Sequence, residues 1–234
     1  MSEKKVFVAS PEAKGKAKQL RLFAFLAWIV AIGIEVYAIF NLIKDETLTW
    51  LIVAIVVMLI LAVTGSILWK KSNKLDPASE KNKFKFFVQN QLGVIMAVLA
   101  FLPLVVLIFT DKNLSGKSKG IAGSIAAIAL VIAGISGVEF NPASVEKYTE
   151  EINQQTEEAK SLDINSDNVY WSTAGNKYHA TSDCYHIEGK ALSNGSIKES
   201  WEQKGISELC KTCRNKAAKS SISNGVEDLL ETTE

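Results

Sequence analysis

The sequence predicts two unlike parts, an all-α membrane bundle of four transmembrane helices and a small α+β module that follows it. Three observations lead there. Four long apolar stretches fill the first half, Lys and Arg are shared unevenly among the segments that join them, and every Cys and His falls in one short region near the C-terminus. The chain has 234 residues, 48% hydrophobic and 22% charged. That apolar content excludes disorder throughout, and the length excludes a large multidomain enzyme. Three Cys are too few, and odd in number, for a disulfide scaffold. The formal net charge of +1 conceals an asymmetry: residues 1–138 hold 16 Lys/Arg against 8 Asp/Glu, and residues 139–234 hold 10 against 17.

The apolar stretches are 20–43, 48–69, 91–110 and 120–138. About 20 helical residues cross a hydrocarbon core of about 30 Å. Backbone amides in lipid have no water to bond, so each stretch must satisfy its own as a helix. Trp50 and Trp69 bracket the second stretch at the spacing of two interfacial anchors, roughly 28 Å at 1.5 Å per residue. The first stretch is too long for a cleaved leader and no small-residue cleavage site follows it, so it is expected to stay as a helix.

Orientation follows from the loops. The tail 1–21 and the loop 70–90 together hold twelve Lys/Arg, and the loops 44–47 and 111–119 hold four. This positive-inside bias predicts a multi-pass protein of the cell membrane with both termini cytoplasmic. Glu35 is the one ionisable side chain well inside a span. A charge at that depth costs about 2.5–3.5 kcal/mol on insertion scales, so it is an intramembrane polar candidate: a proton or cation relay, a helix–helix hydrogen bond, or a site shallow enough to reach the headgroups. Pro103 is expected to kink the third helix. Small residues crowd the fourth (Gly120, Gly123, Ser124, Ala126, Ala127, Ala133, Gly134, Ser136, Gly137), which places it centrally in the bundle or makes it the face of a homo-oligomer.

Residues 139–162 read as a helical stalk. Asn141 suits the N-cap and Pro142 the first helical position. Val145, Ile152 and Ala159 form one row, and Tyr148, Gln155 and Leu162 a second that Gln155 interrupts, a seam that suggests self-association.

The chemistry lies in 163–219. Cys210 and Cys213 form C-x-x-C, a spacing at which a tight turn aims two sulfurs at one point. His179 and Cys184 lie upstream as H-x-x-x-x-C. These four supply the donor set of a closed tetrahedral zinc site, with zinc as the expected cofactor. His186 is a rival to His179, less favoured because it crowds Cys184. Reduced cytosolic thiols fit the topology read from the loops. Around the ligands, VYWST alternates as a strand, Gly175-Asn176 offers a hairpin turn, and Ser196 with Glu199 forms a capping box for a short helix ending near Gly205. Residues 220–234 read as an acidic tail.

The run V-Y-x-S/T…Y-H-x-x-x-x-C…G-x-x-x-x-C-x-x-C resembles a small zinc-binding module that bacteria append to nucleases and membrane proteins. It is carried here by Val169, Tyr170, Tyr178, His179, Cys184, Gly205, Cys210 and Cys213. It is also distantly similar to the zinc domain of bacterial alkyl-phosphotriester-sensing DNA repair proteins. That domain uses four Cys, one of which accepts a methyl group. This chain has His179 in place of a cysteine, so methyl transfer is not carried over.

The expected function is non-enzymatic: a four-helix anchor (1–138) displaying, beyond a stalk (139–162), a cytoplasmic structural zinc module for binding, sensing or scaffolding. The alternative is a small transporter or channel using Glu35, with the module as regulator. The expected partners are the lipid bilayer, a second copy through the fourth helix and a cytoplasmic protein. Nucleic acid is disfavoured. Lys211, Arg214, Lys216 and Lys219 cluster after Cys210, but the acidic stalk and tail (Glu227, Asp228, Glu231, Glu234) oppose a phosphate backbone.

Overall fold

A computed structural model describes residues 6–220, so the acidic tail lies almost wholly outside the described residues. The chain forms two compact units.

The first unit, Gly15–Ala143, is helical. Helices α1 (Pro11–Asn41), α2 (Leu48–Leu75), α3 (Lys83–Thr110) and α4 (Gly116–Gly137) are each long and apolar enough to cross a membrane. At the Lys-rich ends α1, α2 and α3 run six to nine residues beyond the apolar stretches. Charged residues can continue a helix in water, so the helices outrun the apolar stretches. About a third of each span is buried inside the bundle. Ile60, Leu99, Val106, Ile128, Val131 and Ile135 face outward. An apolar girdle of this extent suits a hydrocarbon surround and not water.

The inward face holds Leu51, Ile55 and Met58 of α2, Phe101, Leu104 and Ile108 of α3, and Ala122, Ala126, Ala129 and Ala133 of α4. Of the small residues on α4, Gly123, Ala126, Ala133 and Gly137 are buried within the bundle, while Gly120 and Ser124 are exposed. At the tightest crossing, a Cβ on Gly93 would stand 2.8 Å from the Gly137 carbonyl oxygen, and a Cβ on Gly137 would overlap the backbone of Gly93 and Val94. Helix α3 runs unbroken through Pro103. The outer turns are joined by Asp45, whose carboxylate accepts from the N–H and hydroxyl of Ser115, the N-cap of α4. Trp50 is exposed as an anchor would be, but Trp69 is buried. Its indole N–H donates to the Gln89 carbonyl at 2.7 Å and its ring meets Phe25 and Trp28. Buried amphipathic Trp needs a partner for its N–H, and α3 supplies one.

The second unit joins residues 6–14 to 144–220. The expected division, with 1–138 as one domain and 139–162 as a free stalk, therefore differs from the compact units. Phe7 donates its N–H to Thr149 and sets its ring edge-on to Tyr148 at 5.1 Å, and Tyr148 in turn meets Trp201. Helix α5 (Val145–Ser161) starts three residues later than expected. Ser144, not Asn141, is its N-cap, with extended backbone and a hydroxyl accepting from the Lys147 N–H. The seam of α5 is buried within the unit: Ile152 beside Phe7 and Trp201, Ala159 beside Val169, Trp171 and Tyr178. Gln155, read as an interruption, accepts a hydrogen bond from the buried Tyr178 hydroxyl at 2.9 Å.

Strand β1 (Val169–Ser172) pairs antiparallel with β3 (Leu192–Gly195), and β2 (Lys177–Tyr178) pairs parallel with β4 (Glu208–Leu209). A bridge between Tyr170 and His179 links the two ribbons. The hairpin from β1 to β2 turns through residues 173–176, and Gly175 does not take positive φ, so the two-residue Gly175-Asn176 turn gives way to a longer one. Helix α6 (Ile197–Lys204) has the capping box of Ser196 and Glu199, and Gly205 ends it at φ 67°. Residues 211–220 form a last helix, α7.

Replacing Gly137 by Val forces the α3–α4 crossing apart, at a cost of about 1–3 kcal/mol for overpacking. Thermal unfolding of the chain in detergent, followed by helical circular dichroism, should shift downward for Gly137→Val and stay put for Gly120→Ala, where a Cβ meets nothing within 4 Å.

Candidate metal centre

The parallel pairing of β2 and β4 sets the site. His179 follows Tyr178 and Cys210 follows Leu209, so the ladder brings both residues out side by side. The Cys210 N–H donates to the Tyr178 carbonyl at 2.8 Å, and the His179 N–H and carbonyl both bond Tyr170. Cys210 then caps α7, its carbonyl accepting from the Arg214 N–H, and Cys213 lies in the first turn. Cys184 comes from the turn after β2, where its carbonyl accepts from the Ile187 N–H.

All four residues are buried, and their ligand atoms lie within 4.8 Å of one another. His179 Nδ1 is 3.8 Å from the Cys213 sulfur. Donors about 2.3 Å from an ion stand about 3.8 Å apart along a tetrahedral edge. Three thiols and an imidazole, clustered and buried, therefore form a group that could hold a metal ion. The sequence-predicted set is the set that converges. His186 is exposed, with Nε2 3.1 Å from the Thr212 hydroxyl and its ring stacked near Tyr185.

The electrostatics divide the thiols. Burial alone would raise the Cys210 thiol, but the backbone N–H groups of Cys213 and Thr212, together with the Cys184 and Cys213 thiols, lower its pKa. The N–H groups are the helix N-terminus acting on a sulfur. Burial pushes the Cys213 thiol up to about 12. Burial, with His186 and Lys190 nearby, holds the His179 imidazole below its usual value and so neutral, the form that ligates. Around the site, Arg214 pairs with Glu158 of α5 at 2.8 Å, and Lys177 pairs with Glu208. Neither support was visible in the sequence, because Glu158 and Arg214 lie 56 positions apart.

Glu35 lies elsewhere, in α1, buried against the Leu104 backbone with Oε1 lacking a hydrogen-bond partner. It is the one buried carboxylate of the bundle among the described residues.

Comparison of the chain with protein-family models, curated proteins and solved structures finds no match.

Cys210→Ser and His179→Ala should each abolish stoichiometric metal in the purified chain, measured by elemental analysis, while His186→Ala keeps it. Protons compete with the ion for the thiolates, so affinity rises with pH. A chromophoric chelator should therefore strip the metal faster at pH 5 than at pH 7, with proton release on rebinding.

Proposed function

We propose that the chain is a multi-pass protein of the cell membrane that holds a structural zinc module on the cytoplasmic face, as a binding, sensing or scaffolding element without catalysis. The observation that carries this reading is the convergence of His179, Cys184, Cys210 and Cys213 within 4.8 Å in a buried setting. Three thiolates and one imidazole suit zinc, a borderline-soft ion that accepts tetrahedral sites without strain. When bound, the ion supplies charge neutralisation and a crosslink, drawing the ends of β2 and β4, the turn at Cys184 and the start of α7 to one point. Four protein donors leave no position for a water, which argues against metal-assisted hydrolysis.

The resemblance of the H-x-x-x-x-C…C-x-x-C run to bacterial appended zinc modules agrees with this reading. So does the twelve-to-four Lys/Arg bias, which puts the module on the reducing side. A protein partner is favoured over nucleic acid, since Arg214 is engaged by Glu158. The bundle covers Gly123, Ala126, Ala133 and Gly137 of α4 but leaves Gly120 and Ser124 exposed, a face open to a second copy. Glu35 serves packing within the bundle, because among the described residues no second buried charge continues a path from it.

Reporter fusions test the orientation: an enzyme active only in the cytoplasm should work after residue 20, within 70–90 and at the C-terminus, and fail within 44–47. The same chain should purify with one zinc and show proton or cation flux in vesicles no different from Glu35→Gln. Flux that Glu35→Gln removes would favour the transporter reading instead.

A further inference from the structure

At the Lys-rich end of the bundle, Arg21 of α1, Trp69 of α2 and Phe84, Lys85, Val88 and Leu92 of α3 enclose an open cleft of about 350 Å³. Its walls are apolar, and Phe84 stands 79% exposed at the rim. Its mouth is cationic. Arg21 lies over the Trp69 ring at 5.7 Å. Two of its nitrogens are bound by Asp76, to the carboxylate and the carbonyl, each at 2.9 Å, and its Nε has no partner. Asp76 offsets the Arg21 charge, so the unbalanced charge is Lys85, which is exposed and has no ion pair among the described residues. Lys85 also sits in the first turn of α3, where the helix end adds positive potential.

We propose that this cleft binds one anionic phospholipid, its phosphate at Lys85 and Arg21 and an acyl chain along Trp69, Val88 and Leu92. A charged mouth above an apolar wall matches a molecule that joins both in one body. The cleft belongs to the end of the bundle where the 70–90 loop concentrates six Lys, the level at which headgroups of an anionic leaflet lie. A free phosphate would engage the mouth and leave the apolar wall uncovered. A zwitterionic lipid would bring its own cation toward Lys85. The inference rests on the bundle spanning a bilayer and not on the metal module, which the variants below leave untouched.

Native mass spectrometry of the full chain in mild detergent tests it, with phosphatidylglycerol, phosphatidylcholine and inorganic phosphate titrated separately. One phosphatidylglycerol should be retained in preference to phosphatidylcholine. Lys85→Gln should weaken the former about fivefold, the worth of one basic side chain at a membrane surface, and leave the latter unchanged. Phe84→Ser should weaken both, and Lys117→Gln, at the other end of the bundle, neither. Arg21→Gln also removes the Asp76 pair, so the exposed Lys85→Gln is the deciding variant. Equal retention of the two lipids, phosphatidylglycerol binding indifferent to Lys85→Gln, or displacement by equimolar inorganic phosphate would each overturn the proposal.

Discussion

The parallel pairing of β2 with β4 is only two residues long, yet it decides where His179 and Cys210 stand. A ladder that short has little stability of its own. What holds it is the set of contacts at its two ends. The Tyr178 side chain is fully buried and its hydroxyl reaches Gln155 of α5, while the backbone just beyond carries two metal-type ligands. A bound ion would close the open end of the ladder, and a structural site of this kind supplies about 10–16 kcal/mol in small zinc modules. Burial drives the Cys213 thiol upward while the start of α7 helps draw the Cys210 thiol downward, so the two sulfurs of the C-x-x-C turn sit in unlike environments. Ladder, helix cap and ligands are one device.

The bundle rests on a different constraint. In lipid, apolar side chains gain nothing by leaving one another's company for hydrocarbon or the reverse, so close backbone approach and polar ties must hold the helices. Gly93 against Gly137 supplies the first. The second comes from the Trp69 indole on the Gln89 carbonyl, the Asp45 carboxylate on Ser115 and the Lys70 ammonium on the Val138 carbonyl at the C-terminal end of α4. All three ties lie toward the ends of the helices, where the sequence places its polar residues.

Local signals were legible in the sequence, and long-range ones were not. The four spans rest on composition, the capping box of α6 on residues three positions apart, and the His/Cys group on two short motifs, H-x-x-x-x-C and C-x-x-C, that hold all three Cys of the chain. The cap of α5 went to Ser144 because a serine hydroxyl can reach the N–H three residues on, a geometry that outweighs the fixed φ of Pro142. Gln155 looked like a fault in a seam because its partner, the Tyr178 hydroxyl, is 23 positions away. Phe7 gave no signal at all: the residues just ahead of α1 have no period to read, and the Phe7 contacts with Tyr148 and Thr149 are set by tertiary packing. Trp69, read as an interfacial anchor, is buried: spacing reports depth along the helix and says nothing of which side faces a neighbour.

His179, Cys184, Cys210 and Cys213 are proposed to bind a metal at one buried point through three sulfurs and one nitrogen. X-ray absorption at the metal edge of the purified full-length chain tests it directly. The expected result is three sulfurs at about 2.3 Å and one imidazole nitrogen at about 2.0 Å around the ion, unchanged by His186→Ala. A shell containing oxygen, two imidazoles or fewer than three sulfurs would contradict it.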